Sequence, residues 1–125
     1  MHRLVLGSRS VSRRNLLERL SIPFLVVHPD IDESPLEGET SDTLVRRLSE
    51  QKALAVGARV GTGLVIGSDQ VALLDDSVLG KPGDHANNVA QLAMASGRWL
   101  EFRTGIAVLD AASGRIQSDV VPFAV

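Results

Sequence analysis

The stretch Leu4-Val5-Leu6-Gly7-Ser8-Arg9-Ser10-Val11-Ser12-Arg13-Arg14-Asn15-Leu16-Leu17 decides how the rest of the chain is read. Leu4-Val5-Leu6 is a short apolar run of the kind that forms a buried strand. Gly7-Ser8-Arg9-Ser10 is small and polar, and suits a turn. From Val11 onward the apolar residues Val11, Leu16, Leu17 and Leu20 fall near helical spacing, with Ser10 or Ser12 placed to cap the helix and Pro23 to end the unit. Strand, polar turn, helix is the opening unit of a layered α/β protein.

Working outward, Phe24-Leu25-Val26-Val27 is a second strand, stopped by His28-Pro29, and Asp30 to Glu39 is an acidic, turn-rich segment. A long helix is expected to open at Ser41-Asp42 and to reach about Arg59. Its repeating positions are Leu44, Val45, Leu48, Lys52, Ala55, Val56 and Arg59, which makes Lys52 an odd member of an inner stripe. After the loop Gly61-Thr62-Gly63, the apolar run Leu64 to Gly67 leads into Ser68-Asp69-Gln70. Val71 to Leu74 and Ser77 to Leu79 flank the hairpin signal Asp75-Asp76. Gly80-Lys81-Pro82-Gly83 reads as a stiff loop and Asp84 to Ser96 as a helix. Trp99 to Leu109 reads as one strand or two, Gly114 as a turn, and Ile116 to Val121 as a return strand. The fold class expected is α/β, a mixed sheet with flanking helices.

Composition narrows the function. The chain has 125 residues, enough for one domain, with 44% hydrophobic and 22% charged residues. It has no cysteine, which excludes disulfide scaffolds, thiolate metal sites and cysteine nucleophiles. Thirteen basic against fifteen acidic residues leave a net charge of -2, unsuited to binding duplex nucleic acid, and 3% aromatics do not build a stacking platform for single strands. No apolar run approaches the ~18 residues of a membrane span. The N-terminal apolar stretch is too short for a signal peptide, so no membrane partner and a cytoplasmic location are expected.

Four clusters could carry chemistry. Ser8 to Arg14 runs from a strand end to a helix N-terminus, whose unpaired N–H groups attract phosphate. Serine hydroxyls and Arg13 or Arg14 would add to them. Read from composition alone, a capped helix with two solvated arginines is the plainer account. Ser68-Asp69-Gln70 follows an apolar run, where a carboxylate at a strand end can deprotonate water or bind a metal, or simply turn the chain. The two lysines, Lys52 and Lys81, are each placed to neutralise an anion, against a snorkelling role for Lys52 and a solvated one for Lys81. Asp30-Ile31-Asp32-Glu33 can hold Mg²⁺ or Mn²⁺ through oxygen, or be a solvated loop. The three histidines lack metal-ligand spacing.

In order and spacing these pieces resemble the Maf family of nucleoside triphosphate pyrophosphatases. The carrying residues are Leu6-Gly7-Ser8-Arg9-Ser10 with Arg13-Arg14 and Leu16-Leu17, Asp32-Glu33, Lys52-Ala53, Gly67-Ser68-Asp69-Gln70, Gly80-Lys81-Pro82 and Thr104-Gly105. The resemblance implies a two-lobed architecture like that of the inosine triphosphatases. It also implies hydrolysis of a nucleoside triphosphate to the monophosphate and pyrophosphate, with a divalent metal, Mg or Mn. On matching positions Asp69 would be the proton acceptor. Ser8, Arg13, Glu33, Lys52 and Lys81 would bind substrate, Glu33 by placing metal or water. Ser12 and Gln70 would influence base choice.

The Ser-Asp-Gln form resembles the subgroup preferring 7-methyl-GTP. That subgroup often carries a bulky aromatic where this chain has Ser12, and a serine cannot stack on a cationic base. A dTTP or UTP pyrophosphatase therefore stays as an alternative. Family members continue well past Val125, so residues 1–125 read as one Maf-like domain lacking its C-terminal part. That keeps a catalytically impaired nucleotide-binding fragment as a further alternative. An incomplete sheet leaves an edge or apolar face open, and a homodimer is expected.

Overall fold

A computed structural model of the chain describes residues 3–74, 77–78 and 100–124. The elements are β1 (Leu4–Gly7), α1 (Val11–Glu18), β2 (Leu25–Val27), α2 (Ser41–Val60), β3 (Leu64–Leu74), β4 (Ser77–Val78), β5 (Leu100–Asp110) and β6 (Arg115–Ala124). The strands form one mixed sheet in the order β2-β1-β3-β5-β6, with β4 pairing β3. β1 runs parallel to β2 and β3, while β3, β5 and β6 follow one another antiparallel. Parallel neighbours need crossovers, and α1 and α2 supply them. The mixed α/β sheet expected from the sequence is the one observed. The Gly80 to Gly83 loop with Lys81, and the helix expected over Asp84 to Ser96, lie outside the described residues.

Helix α2 is well punctuated. Thr40, one residue ahead of the expected opening, caps it by accepting from the Thr43 N–H at 3.2 Å. Asp42 in the first turn and Arg59 in the last complement the helix dipole, and Gly61 at φ 74° closes the helix by donating to Gly57 O. Its buried face is Leu44, Val45, Leu48, Ser49, Lys52, Ala53, Val56 and Gly57. Ala55 and Arg59, expected in the stripe, fall beside it. Their places go to Ser49, Ala53 and Gly57, a ridge of small residues at four-residue steps.

The reason lies in the sheet. Side chains alternate along a strand, so Val65, Gly67 and Asp69 of β3 share the α2 face with Gly105, Ala107 and Leu109 of β5. A Cβ on Gly67 would run into the carbonyl oxygen of Ser49 and lie 2.8 Å from the Ala53 nitrogen. A Cβ on Gly105 would strike the Val45 carbonyl and lie 2.6 Å from Ser49 Oγ. The helix therefore rests on bare backbone at its middle, and on Val5, Val65, Ala107 and Leu109 toward its C-terminal end.

Several boundaries differ from the sequence reading. Leu64 to Leu74 is one continuous strand, because the polar interlude Ser68-Asp69-Gln70 keeps full register with Ile106, Gly105 and Thr104 of β5. β5 is likewise one strand. β6 extends from Arg115 through Pro122 to Ala124, and it lies at the sheet edge, where a missing N–H is tolerated. α1 is capped by Ser10 rather than Ser12 and gives way to turns after Glu18. None of its side chains is buried; Val11 is 69% and Leu16 60% exposed. Its apolar spacing marks a helix without marking core.

Three cations of α2 strap the segment after β2 across the helix. Arg59 donates to His28 O and pairs with Asp30, Lys52 pairs with Glu33, and Arg47 donates to Ser34 O and forks onto both oxygens of Glu39. The Arg47 hydrogen bond, then the Leu36 N–H, hold the Glu39 carboxyl below its ordinary value, outweighing partial desolvation. Glu39 in turn holds Arg47 above its own.

Gly67→Ala should destabilise the chain by about 1–3 kcal/mol or more, since backbone rather than a flexible side chain blocks the new methyl. Ala58→Ser, on the exposed side of α2, should stay within about 0.5 kcal/mol in urea unfolding. For Glu39 the depressed pKa means stabilisation present at neutral pH and lost as pH falls below the ordinary glutamate value of about 4.3. Glu39→Gln should lower the melting temperature at pH 7, and the gap to the unaltered chain should close as acid titration protonates the Glu39 carboxyl, below the ordinary glutamate range.

Candidate functional site

β1 stops at Gly7, opposite Gly67 of β3, so the parallel part of the sheet ends there while β3 runs on. The segments leaving the carboxyl ends of β1 and β2 enclose a cleft of about 330 Å³ at this position. Ser8, Arg9, Ser10 and Arg13 come from the turn into α1. Pro29, Asp30, Ile31 and Glu33 come from the segment after β2, and Lys52 rises from α2.

Lys52 is the centre of the arrangement. Its side chain is 9% exposed, and burying an ammonium is costly unless its donors are filled. Three oxygens surround it: Ser68 O at 3.2 Å, Asp69 Oδ1 at 3.2 Å and Glu33 Oε1 at 2.9 Å. Asp69 reaches it because it projects onto the α2 face of β3, opposite the bare backbone of Gly105. The sequence reading put Asp69 at a strand end. It stands inside β3, just past the end of its parallel partner, which still leaves it at the carboxyl edge of the β1–β3 pair.

Arg13 is partly buried. Burial holds its guanidinium below the ordinary arginine value, and attraction from Asp69 and then Glu33 opposes that shift. Arg13 thus belongs electrostatically to the Lys52 cluster. Ser8 is buried, and its hydroxyl accepts from the Ser10 N–H at 3.0 Å. A hydroxyl used in this way can still donate its own proton. Ser10 Oγ is occupied as the α1 cap.

Among the residues expected to form a site, Ser8, Arg13, Glu33 and Lys52 line one cleft, and Asp69 joins them through Lys52. Ser12 is exposed on α1 and Gln70 turns to the opposite face of the sheet, where Nε2 donates to Thr104 Oγ1 at 2.9 Å. Lys81 lies outside the described residues. Arg9 and Asp30 line the cleft and pair with each other at 2.7 Å; the sequence offers Asp30 only as part of an acidic cluster for a metal, and gives Arg9 no role of its own. The position of Asp30, just beyond the carboxyl end of β2 as Ser8 is beyond β1, was the available signal.

Among the described residues no three histidine, aspartate or glutamate side chains gather as a metal cluster. The pair Glu33 and Asp69 nevertheless suits a hard cation. Mg²⁺ commonly takes one or two carboxylates and completes its shell with water and substrate phosphate. No helix among the described residues is long and apolar enough to cross a membrane.

Known proteins resemble this chain in sequence and in fold. A 7-methyl-GTP pyrophosphatase of Pseudomonas aeruginosa is 52% identical over 122 residues, covering 98% of this chain and 64% of that protein. One from Paraburkholderia xenovorans is 50% identical over 123 residues, covering 95% of this chain and 60% of that protein. The chain thus spans somewhat under two thirds of the length of these relatives. Among solved structures, a nucleoside-triphosphatase / dITP/XTP pyrophosphatase from Mycobacterium abscessus superposes with a TM-score of 0.60 at 21% identity, over 98% of this chain and 72% of that one. The Ham1 protein of Staphylococcus aureus gives 0.65 at 14% identity, over 98% and 70%. At such identities the likeness concerns the fold. Residues 3–125 match the family described as Maf-like protein, and the chain belongs to that family.

Proposed function

We propose that this chain forms the phosphate-binding and proton-accepting part of a nucleoside triphosphate pyrophosphatase, with 7-methyl-GTP as the leading substrate. The observation that carries the reading is the shared ammonium: Lys52 holds Glu33 and Asp69 together beside the N-terminus of α1. The names of the half-identical relatives support the reaction and the substrate.

The reaction splits the bond between the α-phosphorus and the bridging oxygen to the β-phosphate. Water attacks the α-phosphorus, its proton passes to Asp69, and pyrophosphate leaves with the bridging oxygen. With Oδ1 held by Lys52, Oδ2 is the oxygen that takes the proton. Arg13, the Ser8 hydroxyl and the N–H groups at the start of α1 hold phosphate oxygens, and Lys81 would add a further cation from its loop. A divalent cation, Mg or Mn, placed by Glu33 beside the phosphates, would supply the additional positive charge that a tetra-anionic tail needs. Catalysis of this kind rests on positioning and charge neutralisation more than on covalent chemistry.

Ser12 and Gln70 are expected to read the base, yet neither is among the residues that line the described cleft. That keeps a dTTP or UTP pyrophosphatase as the second reading, and competition among 7-methyl-GTP, dTTP and UTP separates the two. The face of the sheet away from α2 exposes Ile106, Val108 and Val121, which supports self-association into a homodimer. A strictly monomeric chain in concentrated solution by light scattering removes that part of the proposal.

Asp69→Asn should lower kcat by roughly 10²–10⁴, with KM changed only a few-fold, in an assay of pyrophosphate release with Mg²⁺ or Mn²⁺. Retained kcat would show that Asp69 is not the base. Release of orthophosphate in place of pyrophosphate would exclude the reaction itself. Nucleotide-dependent thermal stabilisation without turnover would reduce the chain to a binding fragment.

A further inference from the structure

Arg9 and Asp30 both line the cleft, one from the turn before α1 and the other from the segment after β2. Arg9 Nη2 lies 2.7 Å from Asp30 Oδ1, with side chains 66% and 67% exposed. The second carboxylate oxygen, Asp30 Oδ2, lies 3.1 Å from Arg59 Nη2, and Arg59 is itself anchored by donating through Nη1 to His28 O at 2.8 Å. Asp30 is therefore held twice, whereas its bond to Arg9 is an exposed ion pair of the class worth about 0–1 kcal/mol.

This asymmetry makes Arg9 exchangeable. If its guanidinium leaves, Asp30 keeps Arg59 and no carboxylate is stranded. The charge balance gives it a reason to leave. The cations lining the cleft, Arg9, Arg13 and Lys52, face the lining carboxylates Asp30 and Glu33, and Asp69 pairs with Lys52 beside them. A linear polyphosphate entering that space meets positive charge already matched. Arg9 is the most exposed of these cations, and its planar fork suits phosphate oxygens. It also stands between Ser8 and Ser10, at the turn that presents the α1 N-terminus.

We infer that Arg9 is a phosphate-binding latch, parked on Asp30 in the empty cleft and transferred to a phosphate of the incoming polyphosphate chain. Asp30 competes with the ligand for Arg9 and takes the guanidinium back when the products leave. The inference rests on the phosphate-cleft reading above and adds to it a binding residue and a device that keeps the empty cleft charge-paired.

The test is a binding cycle with inorganic tripolyphosphate, followed by calorimetry on the unaltered chain, Arg9→Ala, Asp30→Asn and the double variant. Arg9→Ala should weaken binding about tenfold. Asp30→Asn, which frees Arg9 while keeping an oxygen for Arg59, should tighten it by up to about fivefold. That tightening should fall by at least half in the Arg9→Ala background. Tripolyphosphate binding untouched by Arg9→Ala overturns the latch while leaving the phosphate cleft standing. Weaker binding in Asp30→Asn makes Asp30 a support for Arg9 and also overturns it. Equal tightening with and without Arg9 is plain charge repulsion and does the same. An unaltered chain that neither binds tripolyphosphate nor hydrolyses nucleotide brings down both the latch and the cleft. Arg9 is exposed and its removal leaves the fold intact, so that arm decides the matter even if Asp30→Asn loosens the segment after β2.

Discussion

The seat of α2 on bare strand backbone sets everything else in place. Gly67 and Gly105 lie diagonally across neighbouring strands, Gly67 opposite Ala107 and Gly105 opposite Asp69, and the middle of the helix descends onto them through Val45, Ser49 and Ala53. Any side chain at either glycine would lift the helix. Lys52 follows Ser49 by three residues and precedes Ala53 by one, so lifting the helix would carry its ammonium away from Ser68 O and Asp69. Close packing here is less about core volume than about the reach of one side chain. It also explains why helix and sheet meet through small residues where larger aliphatic ones would bury more surface.

A cation held that deep is usually a liability, because desolvation of an ammonium outweighs a single ion pair. Lys52 avoids this by filling each of its three N–H donors with an oxygen, two of them charged. The two carboxylates then outnumber it, and Arg13 restores the balance from the far wall of the cleft. Arg13 carries the opposing effects in its own titration: burial disfavours its charge while Asp69 and Glu33 favour it. The four groups form one electrostatic unit although they come from α1, the segment after β2, α2 and β3. Removing any one leaves a partner uncompensated, which is why mutations at this cluster are expected to affect stability and chemistry together.

Much of this was legible in the residues themselves. Strand–turn–helix at Leu4 to Leu17, the long period of α2 and the hairpin strands near the end all announce themselves through apolar spacing. Lys52 stood out because a lysine falls in an inner stripe, and Asp69 because a carboxylate follows an apolar run. What stayed hidden has a common cause. Spacing arguments weigh large apolar side chains, so the ridge Ser49, Ala53 and Gly57 was invisible, and Ala55 and Arg59 were placed inside in their stead. The continuity of β3 was hidden because a polar interlude resembles a strand end, although Ser68 and Gln70 simply serve one face of the sheet and Asp69 the other. The Arg47, Lys52 and Arg59 strap joins residues far apart in sequence, and nothing local announces it. The family resemblance supplied the grouping of Ser8, Arg13, Glu33, Lys52 and Asp69 that local spacing could not.

The ion pairs around the cleft bear on what it can accept. A pocket of unpaired cations would repel itself and, lacking ligand, would be poorly ordered. Here the carboxylates of Asp30, Glu33 and Asp69 stand where anionic oxygens of a ligand could stand, and each keeps an arginine or lysine in position. Preorganisation of this kind lowers the cost of ordering side chains at the moment of binding. It also demands that an anionic ligand either displace a carboxylate or bring its own positive charge. In the proposed reading, a triphosphate accompanied by a divalent cation would do the second beside Glu33, where the carboxylates already hold the buried Lys52. At the solvent-facing rim, where the pairing is weak and Asp30 has Arg59 in reserve, displacement is the cheaper course. Depth thus divides the cleft into a buried floor around Lys52 and an exposed rim at Arg9 and Asp30; in the proposed reading the floor would position the attacking water and the rim would admit and release the polyanion.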